Sequence, residues 1–100
     1  MARLIPIGIL FLLAFSAPLH AGDPFNGHTI YGKHCLSCHG DSGRSNMVAV
    51  PDFSRGEGLF KADFMLIDTL KRGLGTMPAY QGLLTDSELA DVITYIRTMQ

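Results

Sequence analysis

The stretch Cys35-Leu36-Ser37-Cys38-His39 constrains this chain of 100 residues more than any other feature. If it lies in a helical turn, Cys35, Cys38 and His39 stand at positions i, i+3 and i+4, so their side chains share one face. Two thiols at this spacing can each form a thioether at one edge of a porphyrin, and the adjacent imidazole can reach the iron. The motif therefore predicts one covalent c-type haem held by Cys35, Cys38 and His39, with His39 as an iron ligand.

Three other interpretations of the cysteines compete with haem attachment, namely a redox dithiol, a zinc half-site and a disulfide. Zinc needs four ligands, and the chain has no second cysteine pair. A redox dithiol normally lies near a strand-helix unit, and no convincing strand precedes Cys35. The sequence favours haem over all three, and a disulfide between Cys35 and Cys38 is the main alternative that stays open.

Residues 1–21 have the pattern of a secretory signal peptide. Arg3 precedes an apolar run that ends near Phe15, and small or polar residues follow. A retained membrane anchor would need about 18 or more apolar residues in a row, and this run is shorter and contains a proline. We therefore predict a signal peptide at 1–21, a mature domain at 22–100, a periplasmic location and no stable membrane span after cleavage.

The charge of the mature chain is mildly acidic. Cleavage after Ala21 and cleavage after Ser16 both fit the pattern, and either one removes a single basic residue. Seven basic residues then stand against nine acidic ones, a formal charge of −2 before haem propionates are counted. This balance does not indicate nucleic acid or an anionic lipid surface as a partner.

A mature domain of 79 residues can bury only a thin core. Small domains usually need an additional cross-link or bound group for stability, called a staple here. Once both cysteines hold haem, no disulfide remains for that purpose. The apolar plate of the haem would then serve as the staple.

Three segments carry helix signals, which predicts an all-α fold. The first runs from Gly27 to Lys33 with Asn26 as N-cap, and its poor propensity means that tertiary contacts must hold it. The second has Asp63 as N-cap and ends before Gly73.

The third helix has the clearest signal. Thr85-Asp86-Ser87-Glu88 is a capping box, and an apolar stripe follows it at Leu89, Val92, Ile93 and Ile96.

The segments between the helices read as loops. Residues 40–46 consist of turn formers, residues 47–51 are apolar and are predicted to be extended, and residues 51–58 are irregular with room for one helical turn. Residues 73–80 form a loop in which Pro78 biases Met77 away from helical geometry.

Met77 is the predicted second axial ligand of the iron. Its loop lies between Gly75 and Pro78, so the thioether can turn inward. Met65 lies on a predicted helix and reads as a core residue. With His39 and Met77 as ligands, the soft sulfur raises the potential and the iron passes electrons rather than binding substrate.

The chain resembles small bacterial class I cytochromes c. The resemblance rests on Gly27-x-x-x-Tyr31-x-x-x-Cys35-x-x-Cys38-His39, on the Met77-Pro78 loop and on the closing helix with Tyr95, and it covers nearly all of residues 22–100. It implies three main helices and loops wrapped around one haem, with the first and last helices crossing near Gly27 and Tyr31.

Two further expectations come from this resemblance. In the family a proline carbonyl commonly accepts a hydrogen bond from the proximal imidazole, and Pro51 is the candidate here. The chain has no tryptophan to contact a haem propionate. Arg44, Arg55 or Tyr80 could take that place, although each also reads as an ordinary surface or packing residue.

Residues 51–57 and 77–82 are also similar to segments of small cytochromes found with haem-cd-type nitrite reductases of denitrifiers. That similarity implies a donor to such a reductase or an accessory in its maturation.

We therefore predict a monomeric, periplasmic, one-electron carrier that is not an enzyme and that meets its redox partners transiently. The alternatives are a haem enzyme or gas-binding domain with an open sixth position, and a haem-free domain closed by a disulfide.

Overall fold

The computed structural model describes residues 2–4, 8 and 22–100. The predicted signal peptide lies outside the described residues except at positions 2–4 and 8, and it stays a prediction. The helices are α1 Pro24–His34, α2 Leu36–His39, α3 Asp63–Arg72 and α4 Asp86–Arg97, with a 3-10 turn at Phe53–Arg55. No strand occurs in the described residues, and the predicted all-α fold with three main helices is confirmed. None of these helices is long and apolar enough to cross a bilayer.

Helix α1 begins three residues earlier than the sequence predicted. Its N-cap is Asp23, whose carboxylate accepts the backbone N–H groups of Phe25 at 2.9 Å and Asn26 at 3.4 Å. Pro24 takes the first helical position, where a missing N–H group loses no helical hydrogen bond. The predicted cap Asn26 is wrong, because its side-chain amide donates instead to the Asp91 carboxylate of α4 at 2.7 Å.

Helices α1 and α4 cross in close contact at Gly27. A Cβ atom added there would lie 2.0 Å from the carbonyl oxygen of Asp91 and 2.8 Å from Cβ of Tyr95. Only glycine leaves room for this approach. Tyr31, one turn further, is buried, and its ring meets that of Tyr95 edge-on with centroids 5.4 Å apart. The predicted crossing near Gly27 and Tyr31 is confirmed.

Helix α4 has the start and the buried face that its sequence predicted. The Thr85 hydroxyl accepts the N–H group of Glu88 at 3.1 Å, and the Glu88 carboxylate accepts the N–H group of Thr85 at 3.1 Å. This reciprocal pair is the capping box. All four residues of the predicted stripe are buried, namely Leu89, Val92, Ile93 and Ile96.

Helix α3 begins at Asp63, so Asp63 is not the N-cap that was predicted. The cap position belongs to Ala62, which has no side chain that could accept a hydrogen bond. The Asp63 carboxylate instead accepts hydrogen bonds from Arg97, at 3.0 Å from Nε and 2.8 Å from Nη2. This pair joins the start of α3 to the end of α4. The predicted end is confirmed, since α3 stops at Arg72 with Gly73 as C-cap.

The core lies between α1, α4 and the 3-10 turn. Its buried apolar residues are Ile30, Tyr31, Phe53, Leu59, Tyr80, Leu89, Val92, Ile93 and Ile96. Met65 was predicted to be a core residue, and this is wrong because its side chain is 45% exposed on α3. The 3-10 turn confirms the helical turn expected between residues 51 and 58.

Residues 47–50 form a turn rather than the predicted extended segment. The Ser45 hydroxyl donates to the Met47 carbonyl at 2.7 Å and accepts the Met47 N–H group at 3.0 Å, which folds the chain back. Ala49 has a φ of 65°, a left-handed conformation that residues with a Cβ seldom adopt. The turn is therefore held by local hydrogen bonds at the expense of backbone strain.

Candidate haem site

The motif from Cys35 to His39 lies at the joint between α1 and α2. The Cys35 carbonyl accepts the backbone N–H groups of Cys38 at 3.3 Å and His39 at 2.9 Å. The motif is thus one helical turn, the geometry in which positions i, i+3 and i+4 share a face. Cys35 is half-buried, Cys38 is exposed, and both are free thiols, so the structure gives no support to the disulfide interpretation.

The imidazole of His39 is packed flat against the ring of Phe53. The two ring centroids lie 4.6 Å apart and the ring planes differ by 15°. Burial lowers the pKa of His39, which favours the neutral imidazole, the form that ligates a metal. No sequence pattern predicts this contact, because Phe53 lies 14 positions from His39 on an irregular segment.

The Nδ1 atom of His39 is buried and has no hydrogen-bond partner among the described residues. Buried polar atoms normally have one. Pro51 was the predicted acceptor for this atom, and that role stays a prediction. Pro51 lies two residues before Phe53 and lines an open depression of about 380 Å³ together with Ala49, Val50, Glu57 and Gly58.

The Met77 loop, defined as residues 73–85, is tied to the motif through Tyr80. The Tyr80 hydroxyl donates to the carbonyl of His34 at 3.0 Å, and the two rings meet edge-on with centroids 5.7 Å apart. Within the loop, Met77 is half-buried and exchanges backbone hydrogen bonds of 2.9 and 3.1 Å with Leu74. The predicted loop is confirmed, and it lies beside the residue that precedes Cys35.

The segments between α2 and α4 expose several large apolar side chains. The exposed large side chains there are Met47, Val48, Phe60, Phe64, Met65, Leu74 and Leu83. Apolar surface of this kind indicates a site for an apolar group. Together with two free thiols and a neutral imidazole on one turn, it fits a covalently bound haem.

A metal ion held by protein side chains alone is not indicated. The described residues contain no group of three or more His, Cys, Asp or Glu side chains placed to hold a metal ion. This leaves the zinc interpretation without support in that part of the chain.

Comparison with known proteins agrees with this site. Residues 22–96 match the family described as cytochrome c oxidase, cbb3-type, subunit III. Cytochrome c6 of Nostoc sp. strain PCC 7120 is 34% identical over 99 residues, which cover 93% of this chain and 86% of the relative. Cytochrome c6 of Gloeothece citriformis is 32% identical over 88% of this chain and 82% of its own.

A partial relative comes from a larger protein. The cbb3-type cytochrome c oxidase subunit FixP of Bradyrhizobium diazoefficiens is 31% identical over 80 residues, which cover 77% of this chain but only 28% of FixP. The similarity to FixP thus concerns one portion of that subunit.

The fold and the site define a small helical protein with one covalently bound c-type haem. The chain belongs to the cytochrome c family, as a small monohaem member of class I. It is accordingly a haem-based electron carrier, and its family resemblance is confirmed.

Proposed function

We propose that this cytochrome is a periplasmic one-electron carrier whose haem is attached to Cys35 and Cys38 and whose iron is ligated by His39 and Met77. The observation that carries the proposal is the hydrogen bond of 3.0 Å from the Tyr80 hydroxyl to the His34 carbonyl. This bond holds the Met77 loop against His34, the residue before Cys35. The haem, when bound, supplies the one-electron couple of its iron.

His39 is suited to be one axial ligand. Its ring is neutral because burial lowers its pKa, and Phe53 restricts its rotation by stacking on one face. The Nδ1 atom is buried and needs an acceptor, and we assign the Pro51 carbonyl to that role. A hydrogen bond there would fix the tautomer that leaves Nε2 free to ligate.

Met77 is suited to be the other axial ligand. It is half-buried in a loop rather than on a helix, and the pair of backbone hydrogen bonds with Leu74 holds the chain locally. A thioether ligand favours the reduced state and occupies the position that a substrate or a gas would need. For this reason we propose an electron carrier and not an enzyme.

The location and the partners follow from composition. The apolar run behind Arg3 supports export to the periplasm, and the net charge of −2 for residues 22–100 supports contact with redox proteins rather than nucleic acid. We take the carrier to be a monomer with transient partners. The similarity of residues 51–57 and 77–82 to cytochromes of denitrifiers supports a haem-cd nitrite reductase as one partner.

The reduction potential tests the ligand assignment. Met77→Ala should lower the midpoint potential in an equilibrium redox titration, because it removes the soft ligand that stabilises ferrous iron. Met65→Ala is the matched control, because Met65 is a half-exposed methionine on α3 outside the Met77 loop, and this change should lower the potential far less than Met77→Ala does. Equal potentials for both variants would contradict the proposal.

The partner is tested separately. The reduced carrier should be oxidised by purified haem-cd nitrite reductase within the turnover time of that enzyme. Failure to do so would exclude the reductase as a partner and would leave the ligand assignment untouched.

A further inference from the structure

Tyr80 makes more tertiary contacts than its place in a surface loop would suggest. Its side chain is 5% exposed. Its backbone N–H group donates to the Leu70 carbonyl at 2.9 Å, and its own carbonyl accepts the N–H groups of Leu83 at 3.0 Å and Leu84 at 3.1 Å. The backbone of Tyr80 therefore ties the Met77 loop to α3. It also ties the later part of the loop, at Leu83 and Leu84, to residue 80.

The hydroxyl of Tyr80 makes a side-chain hydrogen bond that runs from this loop to α1. Its acceptor, the His34 carbonyl, belongs to the last residue of the helix. Carbonyl groups in the last turn of a helix have no partner within that helix. The bond thus gives a hydrogen-bond partner to a carbonyl group at the C-terminal end of α1. It also joins two residues that lie 46 positions apart in the sequence.

The surroundings of this hydroxyl favour its neutral form. Burial is the main cause that raises the pKa of Tyr80, and it does not depend on whether the cysteines hold haem. The neutral phenol is therefore the stable form, and it keeps the proton that the hydrogen bond to His34 requires.

We propose that Tyr80 is a positioning residue that holds Met77 at the haem by anchoring the Met77 loop to the carbonyl end of α1. This inference rests on the proposed ligation of iron by His39 and Met77. Tyr80 contacts no reacting atom in this account. It sets how often the loop moves away and exposes the sixth position.

The test compares holoproteins with Tyr80→Phe and Tyr31→Phe. Both changes keep a buried ring and remove one hydroxyl that donates to a backbone carbonyl of the α1–α2 region, and only the first touches the Met77 loop. The readout is the rate at which carbon monoxide binds to the reduced protein at neutral pH, compared with global stability in denaturant.

Tyr80→Phe should speed carbon monoxide binding by roughly fivefold to tenfold, the factor that corresponds to one lost hydrogen bond. Tyr31→Phe should lower stability to a similar extent and leave the rate unchanged. Equal rates in Tyr80→Phe and the unmodified protein, or equal acceleration in both variants, would overturn the role of Tyr80. Prompt binding to the unmodified protein would instead overturn the ligand assignment itself.

A second measurement needs no variant. In the unmodified holoprotein the amide hydrogen of Tyr80, which is bonded to the Leu70 carbonyl, should exchange at least about tenfold more slowly than that of Thr76, which is exposed in the same loop. Equal exchange rates would show that the anchor does not hold and would overturn the inference.

Discussion

The backbone of Gly27 lies against the carbonyl oxygen of Asp91, so close that a Cβ atom at Gly27 would sit 2.0 Å from that oxygen. This contact sets the distance between α1 and α4, the two helices that build most of the core. The haem motif begins where α1 ends, and its position therefore depends on this crossing.

Gly27→Ala should lower the free energy of unfolding of the holoprotein by about 3 kcal/mol, because the helices must separate to admit a methyl group. Gly32→Ala is the matched control on the same helix, since a Cβ atom there would meet nothing within 4 Å. That change should stabilise the protein by about 0.5 to 1 kcal/mol through helix propensity. Denaturant unfolding of both variants checks the prediction, and similar effects at the two sites would contradict a tight crossing.

Tyr31→Phe should cost about 1 to 2 kcal/mol, because the buried Tyr31 hydroxyl donates to the Gly40 carbonyl at 2.5 Å. The pKa of Tyr31 is raised to about 12 while Cys35 is a free thiol; burial is the larger cause, and it remains when Cys35 is bound to haem. Between pH 10 and 12 the unfolded chain loses this proton while the folded chain keeps it, so stability falls as the pH rises.

In the Tyr31→Phe variant, the free energy of unfolding should fall less steeply between pH 10 and 12, because the group that titrates there is absent. Urea unfolding of the holoproteins between about pH 9 and pH 12 measures it. Parallel stability curves for the variant and the unmodified protein would show that Tyr31 does not titrate in this way.

Ala49→Gly should stabilise the protein by about 1 kcal/mol. Ala49 has a φ of 65°, which is strained for a residue with a Cβ atom and unstrained for glycine. Ala79→Gly serves as the control, because Ala79 is also exposed but is not among the residues with positive φ. Glycine there should be neutral or destabilising, since it adds freedom to the unfolded chain. Thermal unfolding of both holoproteins gives the comparison, and a loss of stability in Ala49→Gly would rule out strain at this turn.

Electron transfer to a redox partner should depend only weakly on salt. Three of the basic side chains pair with acidic neighbours, in Lys71–Asp86, Arg72–Asp68 and Arg97–Asp63. The other four basic residues of 22–100 are scattered along the sequence, so within that range no basic collar is expected to steer a partner. Stopped-flow rates should change by less than about threefold between 0.01 and 0.1 M salt. A steep decrease would indicate a charged docking surface.

Two of the features that the sequence predicted correctly depend on residues close together in the chain. The capping box of Thr85 and Glu88 and the turn from Cys35 to His39 both arise within five residues. Local hydrogen bonding decides them, whatever the rest of the fold does.

Several features that the sequence missed depend on partners far along the chain, whereas the missed turn at 47–50 is held by local hydrogen bonds. Asn26 is not the N-cap of α1, and its side-chain amide donates to the carboxylate of Asp91, 65 residues away. Asp63 failed as a cap because Arg97, 34 residues away, pairs with it. No sequence pattern predicts the hydrogen bond between Tyr80 and His34. The contact between the Met77 loop and the start of the haem motif is therefore visible only in the folded structure.

Addition of carbon monoxide to the reduced holoprotein at neutral pH tests whether Met77 closes the sixth position of the iron. With His39 and Met77 both bound to iron, we expect no prompt change in the absorption spectrum, and we expect prompt binding only after Met77→Ala opens the sixth position. Prompt binding by the unmodified protein would contradict the account, because it would mean that no residue of the chain closes that position.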